Sequence, residues 1–252
     1  MRIGVIGTGA IAAAVVEGIA GDGHDIIVSE RSRDVSARLA DTFANVRVGT
    51  NAAVIEDSDV VFVALMAEVA EEVLRQLPFR RGQRVVSFMA GVSRQSLADM
   101  VAPARAEAVV IPFPAIAHGG SPVLCCPGSA LVETVFGVAN EVIVLEQEAD
   151  LAAFMAVQAM LSPVVKMLAE GAEWTAARTG DRAGAERFLR LLIGGGLMAE
   201  PIGSEGVLDG MLAALNTPGG LNAELREHLG EAGCYEALRA GLDRLVRRLG
   251  EV

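Results

Sequence analysis

Three small residues near the start of the chain, Gly7, Gly9 and Ala12, have the spacing Gly-x-Gly-x-x-Ala. They follow the apolar run Ile3 to Ile6 and precede a stretch with helical periodicity up to Gly21. In such a pattern the first glycine permits a tight turn, the second lets a diphosphate approach the backbone, and the small third residue lets the helix lie close to the strand. Free N–H groups at the helix start then bind phosphate without a basic side chain. The motif predicts a dinucleotide site, and the alternative is a plain strand–turn–helix.

The segment Glu30-Arg31-Ser32-Arg33 follows a second predicted strand, Asp25 to Ser29, and begins 21 residues beyond Gly9. A dinucleotide site places the residue that reads the adenosine ribose at about this distance. The Glu30 carboxylate would accept hydrogen bonds from a free 2′-hydroxyl and so favours NAD. The guanidinium and hydroxyl groups that follow suit the 2′-phosphate of NADP. We predict NADP as the cofactor and keep NAD as the alternative.

Ligands of open α/β sheets bind at the carboxyl ends of the strands, so the candidate cofactor-binding residues are drawn from those ends. They are Ile6, Gly7, Gly9, Ala10, Ile11, Ser29, Glu30, Arg31, Ser32, Asn51, Ala64, Leu65, Met66, Ala90, Gly91 and Pro112. Asn51 has two readings, because it can cap the helix that follows or contact the cofactor.

Composition narrows the class of protein. The chain has 252 residues, is 52% hydrophobic and carries a formal net charge of −11, which disfavours nucleic acid or an anionic membrane surface as a partner. No uninterrupted apolar run approaches the roughly 20 residues of a membrane span, and the chain opens directly on a strand, so we expect a cytoplasmic protein. Cys125, Cys126 and Cys234 form neither a metal-ligand spacing nor an even disulfide set, which predicts reduced cysteines and no metal.

Short apolar runs alternate with amphipathic segments over the first half of the chain, which predicts an α/β fold with a doubly wound sheet. The predicted strands are 3–6, 25–29, 46–48, 60–65, 84–89, 108–111, 123–126 and 141–144. Pro112-Phe113-Pro114 predicts an extended loop after the sixth strand. The helical period takes over from Gln147, so the predicted domains are a Rossmann dinucleotide-binding domain, 1–146, and a helical domain, 147–252.

Helices are predicted over 149–171, from 183 to 192 or beyond, over 207–215 and from 221 to the end. The first of these is apolar on more than one face, with Leu151, Phe154, Met155, Val157, Met160, Leu161, Val164 and Val165. A single packing partner covers only one stripe of a helix. We therefore expect a second subunit to bury the rest, and the alternative is a helix sandwiched within the monomer.

The segment Asn216-Thr217-Pro218-Gly219-Gly220-Leu221-Asn222 resembles the Ser-Pro-Gly-Gly-Thr-Thr signature of the pyrroline-5-carboxylate reductases, which make proline. Val86 to Ser93 is similar to that family's Val-Ser-Ile-Ala-Ala-Gly-Val-Ser segment, and Gly230 to Leu249 to its closing helix. Order and spacing agree over essentially the whole chain. The resemblance implies NAD(P)H-dependent reduction of a cyclic imine that carries a carboxylate. It also implies an obligate homodimer through the helical domain, with higher assembly in some members.

In that family the substrate lies between the nicotinamide and the Pro-Gly-Gly helix start. The resemblance implies catalytic roles for Asn222 and Thr217 and substrate-binding roles for Ser162, Pro218, Gly219, Gly220 and Leu221. Independently of the family, N–H groups of the two glycines at a helix start can bind a small carboxylate. The alternative is an ordinary capped turn, with Thr217 as N-cap and Pro218 as the first helical residue.

Departures from the family concentrate near the nicotinamide and the substrate. The family's Val-Lys-Pro is Leu65-Met66-Ala67, its Met-Pro-Asn-Thr-Pro is Ile111-Pro112-Phe113-Pro114, its Gly-Ser-Gly-Pro-Ala survives only as Ser162-Pro163, and its Thr-Thr is Leu221-Asn222. Three hypotheses therefore stay open. They are a reductase of a pyrroline-5-carboxylate-like imine, a reductase of another imine or a keto acid, and a non-catalytic NAD(P)-binding regulatory protein.

A protonated iminium needs little acid–base help from the protein, because the cofactor supplies the chemistry and the enzyme supplies orientation. His118 can donate a proton to a ketone substrate or simply face solvent. Lys166 reads as a solvated position, although related hydroxyacid dehydrogenases use a helical lysine. Asn222, if it takes the place of a family threonine, can hold the imine nitrogen or its proton.

Overall fold

The computed structural model describes residues 1 to 250. They divide into two compact units, the first ending at Leu151 and the second beginning at Ala152. The first unit is a layered α/β domain and the second is helical, so the predicted fold class is confirmed.

The first unit is organised by one sheet of eight strands. The strands are Arg2–Ile6 (β1), Asp25–Ser29 (β2), Val46–Gly49 (β3), Val60–Val63 (β4), Arg84–Ser87 (β5), Arg105–Pro112 (β6), Pro122–Cys126 (β7) and Glu141–Val144 (β8). Their order is β3-β2-β1-β4-β5-β6-β7-β8, with β1 to β6 parallel. Strand β7 runs antiparallel to β6, because the connection between them is too short for a parallel crossover. The order reverses beside β1, which places a topological switch point at its carboxyl end.

The central parallel strands are buried on both faces, as their continuous apolar runs predicted, whereas the edge strand β3 is largely exposed. In β4 all four residues are buried; Val60 and Phe62 join the core on one face of the sheet, and Val61 and Val63 join the core on the other. The sequence predicted this strand as far as Leu65, but the ladder ends at Val63. Residues 64 to 66 are therefore free to form the loop above the strand.

Six α-helices cover the sheet: Ala10–Ile19 (α1), Arg33–Thr42 (α2), Asn51–Glu56 (α3), Ala67–Leu74 (α4), Arg94–Val101 (α5) and Ala130–Phe136 (α6). The predicted extended loop after β6 is wrong beyond Phe113, since Pro112 is the last residue of the strand. Only Phe113 is extended, and Pro114–His118 forms a 3₁₀ helix. A proline at the first position supports that turn, because its fixed φ suits a helix start and its missing N–H is not needed there.

The second unit contains helices only within its described residues. They are α7 (Asp150–Val157, which begins just before the division), a 3₁₀ turn (Gln158–Met160), α8 (Leu161–Thr179), α9 (Arg182–Leu197), α10 (Val207–Ala214), α11 (Leu221–Glu231) and α12 (Cys234–Gly250). The predicted continuous helix from Leu221 onward is broken before α12, where Gly233 has a φ of 76°. The sequence placed the domain boundary between residues 146 and 147, in the connection between β8 and α7.

The helical stretch Asp150–Thr179 is long and apolar enough to cross a membrane, judged by length and composition alone. The sequence predicted no such segment, because none of its uninterrupted apolar runs approaches the length of a membrane span. The helix instead mixes large apolar residues with alanines and few charges. Helices at the core of water-soluble proteins pass the same test, so this single stretch is weak evidence for a membrane span.

Candidate nucleotide and substrate sites

The loop between β1 and α1 has two glycines with different structural roles. Gly7 has a φ of 90°, and a Cβ there would lie 2.4 Å from the carbonyl oxygen of Ala64, so the fold itself requires glycine. At Gly9 the backbone is ordinary, and a Cβ would meet nothing within 4 Å. The packing of the protein therefore does not explain Gly9, whereas the approach of a ligand to the backbone does.

Ser29, at the end of β2, stabilises this loop through two hydrogen bonds. Its Oγ accepts a hydrogen bond from the Gly7 N–H at 2.8 Å, and the Thr8 hydroxyl donates to its carbonyl oxygen at 3.2 Å. Ser29 is fully buried, as is Ile6 at the end of β1. These two predicted cofactor residues thus shape the loop, and Thr8, which the sequence analysis did not single out, does so with them.

Helix starts in the first unit fall into two groups. Side chains cap α3, α5 and α6, with Thr50, Ser93 and Ser129 as the N-caps. No side chain caps α1, α2 or α4, which follow β1, β2 and β4. Because β2, β1 and β4 are neighbours in the sheet, the three uncapped starts share one edge. Their first N–H groups lack intrahelical partners and can bind an anion.

The structure corrects the capping role considered for Asn51. Thr50 is the N-cap of α3 and accepts a hydrogen bond from the Ala53 N–H, so Asn51 is the first helical residue. Its contact with a cofactor stays a prediction. Two side chains accept hydrogen bonds from the free N–H groups at the start of α5. One is the N-cap Ser93, and the other is Glu148, whose carboxylate oxygens lie 3.1 and 3.2 Å from the Arg94 nitrogen.

The segment after β2 presents its polar groups to solvent. Glu30 and Arg31 are exposed, and the Ser32 hydroxyl does not cap α2 although Ser32 is the N-cap residue. Within residues 1 to 250, no ion pair ties up Glu30, Arg31 or Arg33. Both the carboxylate that favours NAD and the groups that favour NADP are therefore available at this strand end.

The remaining predicted cofactor residues lie at the same carboxyl edge, since β1, β2, β4, β5 and β6 are parallel. Ala10 is exposed and Ile11 half-buried at the start of α1, and Ala64 is half-buried. Leu65 and Pro112 are buried, whereas Met66, Ala90 and Gly91 are exposed. Gly91 has a φ of 81°, which explains glycine after the fifth strand.

In the second unit the Pro-Gly-Gly motif forms a turn before α11. The Gly220 N–H donates to the Thr217 carbonyl oxygen at 2.9 Å, and Gly219 has a φ of 69°, a pattern typical of a type II turn with proline second. The helix begins at Leu221, with Gly220 as its N-cap. The reading of Thr217 as N-cap and Pro218 as first helical residue is therefore wrong, because the positive φ of Gly219 interrupts the helical path.

This turn shifts the predicted carboxylate site along the chain. The Gly220 N–H is used within the turn, so it is not available as the sequence analysis expected. No side chain caps α11, and its first N–H groups, from Leu221 to Ala223, lack intrahelical partners. Leu221 is 84% exposed and Asn222 is also exposed, so both side chains are accessible at the helix start.

The other candidate residues for the substrate site are Ser162, His118 and Lys166, and their side chains are exposed to solvent. Ser162, on α8, and His118, at the end of the 3₁₀ turn, are exposed. Lys166 is exposed and pairs with Glu170 one turn along α8, as expected for a solvated position. Within residues 1 to 250, no group of three His, Cys, Asp or Glu residues is placed to hold a metal. The Cys125 thiol is buried, which raises its pKa to about 11 and makes it a poor nucleophile.

Comparison with known proteins agrees with this geometry. Residues 2 to 91 match the protein family described as "NADP oxidoreductase coenzyme F420-dependent", less than half of the chain. No curated protein sequence matches. Among solved structures, pyrroline-5-carboxylate reductase from Streptococcus pyogenes is 20% identical, with a TM-score of 0.79 over 100% of this chain and 99% of its own. The Plasmodium falciparum pyrroline carboxylate reductase with NADP bound is 15% identical, with a TM-score of 0.80 over 99% and 97%.

A more distant similarity links the chain to the reductive aminase from Aspergillus terreus, solved with NADPH4, cyclohexanone and allyl amine. That enzyme is 20% identical, with a TM-score of 0.58 over 85% of this chain and 75% of its own. The sheet order and the glycine loop define the first unit as a Rossmann-like domain, and its first 91 residues include the segment similar to the matched family. The chain as a whole has the fold of the pyrroline-5-carboxylate reductases, which confirms the resemblance seen in the sequence motifs.

Proposed function

We propose that this protein is an NAD(P)H-dependent reductase of a small cyclic imine that carries a carboxylate, of the pyrroline-5-carboxylate type that forms proline. The observation that carries the proposal is the set of three uncapped helix starts on the neighbouring strands β2, β1 and β4. Three adjacent sets of free N–H groups suit a dinucleotide, which offers two phosphates and a ribose along one edge. The α11 start then suits the substrate carboxylate.

NADP is the proposed cofactor, with NAD as the alternative. The open space at Gly9 and the uncapped start of α1 fit a diphosphate. The unused Ser32 hydroxyl and the neighbouring Arg31 favour a 2′-phosphate, while Glu30 opposes it. The bound nicotinamide would supply the hydride. The chain's own residues would orient the imine, with Asn222 and Thr217 proposed to hold its nitrogen side and Leu221 to Ala223 to bind its carboxylate through their N–H groups.

A homodimer in the cytoplasm is the proposed form of the protein. Apolar side chains along α8 and α9 are exposed, including Leu161, Val165 and Leu197, which line a groove between these helices. Burial of such a surface against a second copy would remove it from water. The cysteines at 125, 126 and 234 are free, which fits a reducing compartment. Light scattering at micromolar concentration tests the assembly, and a stable monomer contradicts it.

One observation favours a second candidate, a reductase of a different imine or of a keto acid. Leu221 is 84% exposed at the start of α11, where the pyrroline-5-carboxylate reductases have a threonine. An apolar side chain there suits a substrate with an apolar group in place of a fully polar one. The reductive aminase that shares the fold was solved with cyclohexanone and allyl amine. A non-catalytic NAD(P)-binding regulator is the remaining alternative.

The deciding experiment follows the loss of reduced-nicotinamide absorbance with pyrroline-5-carboxylate and NADPH or NADH. Binding of each cofactor is measured in parallel without substrate. Turnover with pyrroline-5-carboxylate is the expected result. Cofactor binding without turnover leads to a panel of other imines and keto acids, and reduced coenzyme F420 is included because the matched family is described by it. Binding with no turnover across the whole panel would establish the regulatory alternative, and absence of cofactor binding refutes the proposal.

A further inference from the structure

Arg226, in the middle of α11, reaches back across the turn that precedes its own helix. Its Nη2 donates to the Asn216 side-chain oxygen at 2.5 Å, and its Nη1 donates to the Leu212 carbonyl oxygen at 3.4 Å. Leu212 belongs to the last turn of α10, whose carbonyl groups have no partner within the helix. One guanidinium therefore joins the end of α10, the residue before the turn, and α11.

The position of Asn216 makes this contact important for the turn. Asn216 immediately precedes Thr217, whose carbonyl oxygen closes the turn by accepting the Gly220 N–H. The two glycines of this short segment, Gly219 and Gly220, make its conformation costly in entropy to fix, and a tether at its first end reduces that cost. At its other end the turn is fixed by the start of α11. At the first end, the Asn216 N–H donates to the Ala213 carbonyl oxygen at 3.1 Å, and the contact with Arg226 fixes the Asn216 side chain in addition.

We infer that Arg226, through Asn216, is the positioning residue that sets the turn from Thr217 to Gly220 and so presents the N–H groups at the start of α11 to the substrate carboxylate. This inference rests on the proposed function for its substrate, but the contact itself lies wholly within the second unit. Arg226 touches neither substrate nor cofactor in this account and is not a catalytic residue. Its role is expressed through the geometry of the turn.

The contact differs from the ion pairs that join neighbouring positions of a single helix in the helical unit. Arg239 pairs with Glu236 within one exposed helix, and both side chains are 66% exposed. Such a pair connects neighbouring positions that the helix already fixes. Arg226 is half-buried and bridges residues ten and fourteen positions away. Arg239 therefore provides a matched control: the same residue type in the same unit, without a segment to position.

The test compares Arg226→Gln, Arg226→Lys, Asn216→Ala and Asn216→Asp with the control Arg239→Gln, all in the full-length protein. Hydrogen exchange is followed in the peptide covering residues 216–223, and KM and kcat are measured with pyrroline-5-carboxylate and NADPH. Arg226→Gln and Asn216→Ala are expected to raise exchange in that peptide about tenfold and to raise KM for the imine about tenfold. The kcat and the KM for NADPH should change little. Asn216→Asp should behave as the wild type, because a carboxylate accepts the same hydrogen bond.

The possible outcomes separate this inference from the proposed function. Unchanged exchange in residues 216–223 on Arg226→Gln overturns the inference, whether or not the protein turns over the imine. Exchange that rises equally throughout α10 to α12, or a fall in kcat with KM unchanged, also overturns it, because a merely structural role predicts those results. A wild-type protein without turnover refutes the proposed substrate. Raised exchange confined to the turn in Arg226→Gln would still support the positioning role, and rescue by Asn216→Asp would assign it to the contact.

Discussion

The two units of this molecule bury their apolar residues very differently. In the first unit, two clusters of large aliphatic and aromatic side chains fill both faces of the sheet, and Phe62, Phe88 and Phe136 lie with ring centroids 5.1 to 6.4 Å apart. In the second unit, the buried apolar residues among those described are four alanines: Ala156, Ala172, Ala185 and Ala223. Its leucines, valines, phenylalanine and tryptophan are exposed or half-buried.

The two units therefore obtain their stability from different sources. The first unit has the core of a domain that folds by itself, since burial of large apolar side chains is the main favourable term in folding. The second unit has the helices but few buried side chains, so we propose that burial against a further surface stabilises it. The proposed dimer supplies that surface. Substitutions in each unit can therefore test whether the first is stable by itself and whether the second depends on a partner.

The largest expected effect comes from Gly9→Val. A Cβ at residue 9 meets nothing in the protein, so the fold should survive, whereas the branched side chain would occupy the space proposed for the diphosphate. We expect cofactor affinity to fall more than about a hundredfold, with an unchanged melting temperature. Calorimetric titration with NADPH measures the affinity. Gly21→Val, where a Cβ also meets nothing, is the control, and retained affinity in Gly9→Val would sink the site assignment.

Val165→Asp should sharpen the contrast in the second unit. Val165 is 54% exposed and lines the groove between α8 and α9, so a charge there costs the single chain little but would be buried without a partner in a dimer. We expect the dissociation constant of the dimer to rise about a hundredfold. Sedimentation velocity measures it. Val138→Asp makes the same change at a 93% exposed position of the first unit and should leave assembly unaffected; equal behaviour of both variants contradicts the assigned interface.

Glu107→Gln tests how much the interactions of one nearly buried carboxylate contribute to the free energy of unfolding of the first unit. The Glu107 carboxylate is nearly buried and accepts two hydrogen bonds from the Arg84 guanidinium at 2.8 and 3.0 Å, and the Ser129 hydroxyl donates to it at 2.8 Å. The pKa of the Glu107 carboxyl is lowered, mainly by the hydrogen bonds from Arg84 and to a smaller extent by the hydrogen bond from Ser129. We expect Glu107→Gln to lower the free energy of unfolding by about 2 kcal/mol at neutral pH.

The pH dependence follows from the direction of that shift. A carboxyl whose pKa is lower in the folded state stabilises the fold above its unfolded pKa, near 4.5, and loses this effect as the pH falls through the folded pKa. Urea unfolding at pH 7 and at pH 3 should therefore show the wild type and Glu107→Gln converging in acid. The exposed pair of Glu236 with Arg239 is the counterpart in the second unit, and Glu236→Gln should cause no measurable change. A pH-independent difference for Glu107→Gln would contradict the ion pair as its cause.

Patterns local in sequence predicted most of the fold. Short apolar runs indicated the central strands, such as β4, because a strand buried on both faces has no polar interruptions. The bounds of β8 agree with the prediction, although this strand is only partly buried. Ser93 is the N-cap of α5, and its hydroxyl accepts the Ser96 N–H. Ser32 has the same residue type, yet its hydroxyl caps nothing, so residue type alone does not distinguish a capped helix start from an open one.

Contacts between distant residues could not be predicted in this way. Ser29 supports Gly7 across 22 residues because β1 and β2 are neighbours, which is a property of sheet order. The capping rule placed the start of α11 wrongly, because the positive φ of Gly219 follows directly on Pro218 and interrupts the helix. Arg226 carries no sequence signal, since a solvated helical arginine has the same pattern. The parts of the candidate sites that the sequence missed are therefore those that hold loops in place.

The smallest effect, and the finest test of the first unit's packing, is expected for Ser58→Ala. Ser58 is fully buried before β4, and its Oγ is the one buried side-chain polar atom without a hydrogen-bond partner among residues 1 to 250. A buried hydroxyl without a partner loses its bond to water and gains nothing in return. Removal of the oxygen should leave the free energy of unfolding unchanged or raise it by up to about 1 kcal/mol.

The side chain of Ser58 packs against Gly4, where a Cβ would lie 2.4 Å from the Ser58 Oγ, so alanine keeps the Cβ of residue 58 and removes only the oxygen. Urea midpoints measure the change, and a loss of more than about 1 kcal/mol would show that the hydroxyl has a bonded partner after all, such as a buried water.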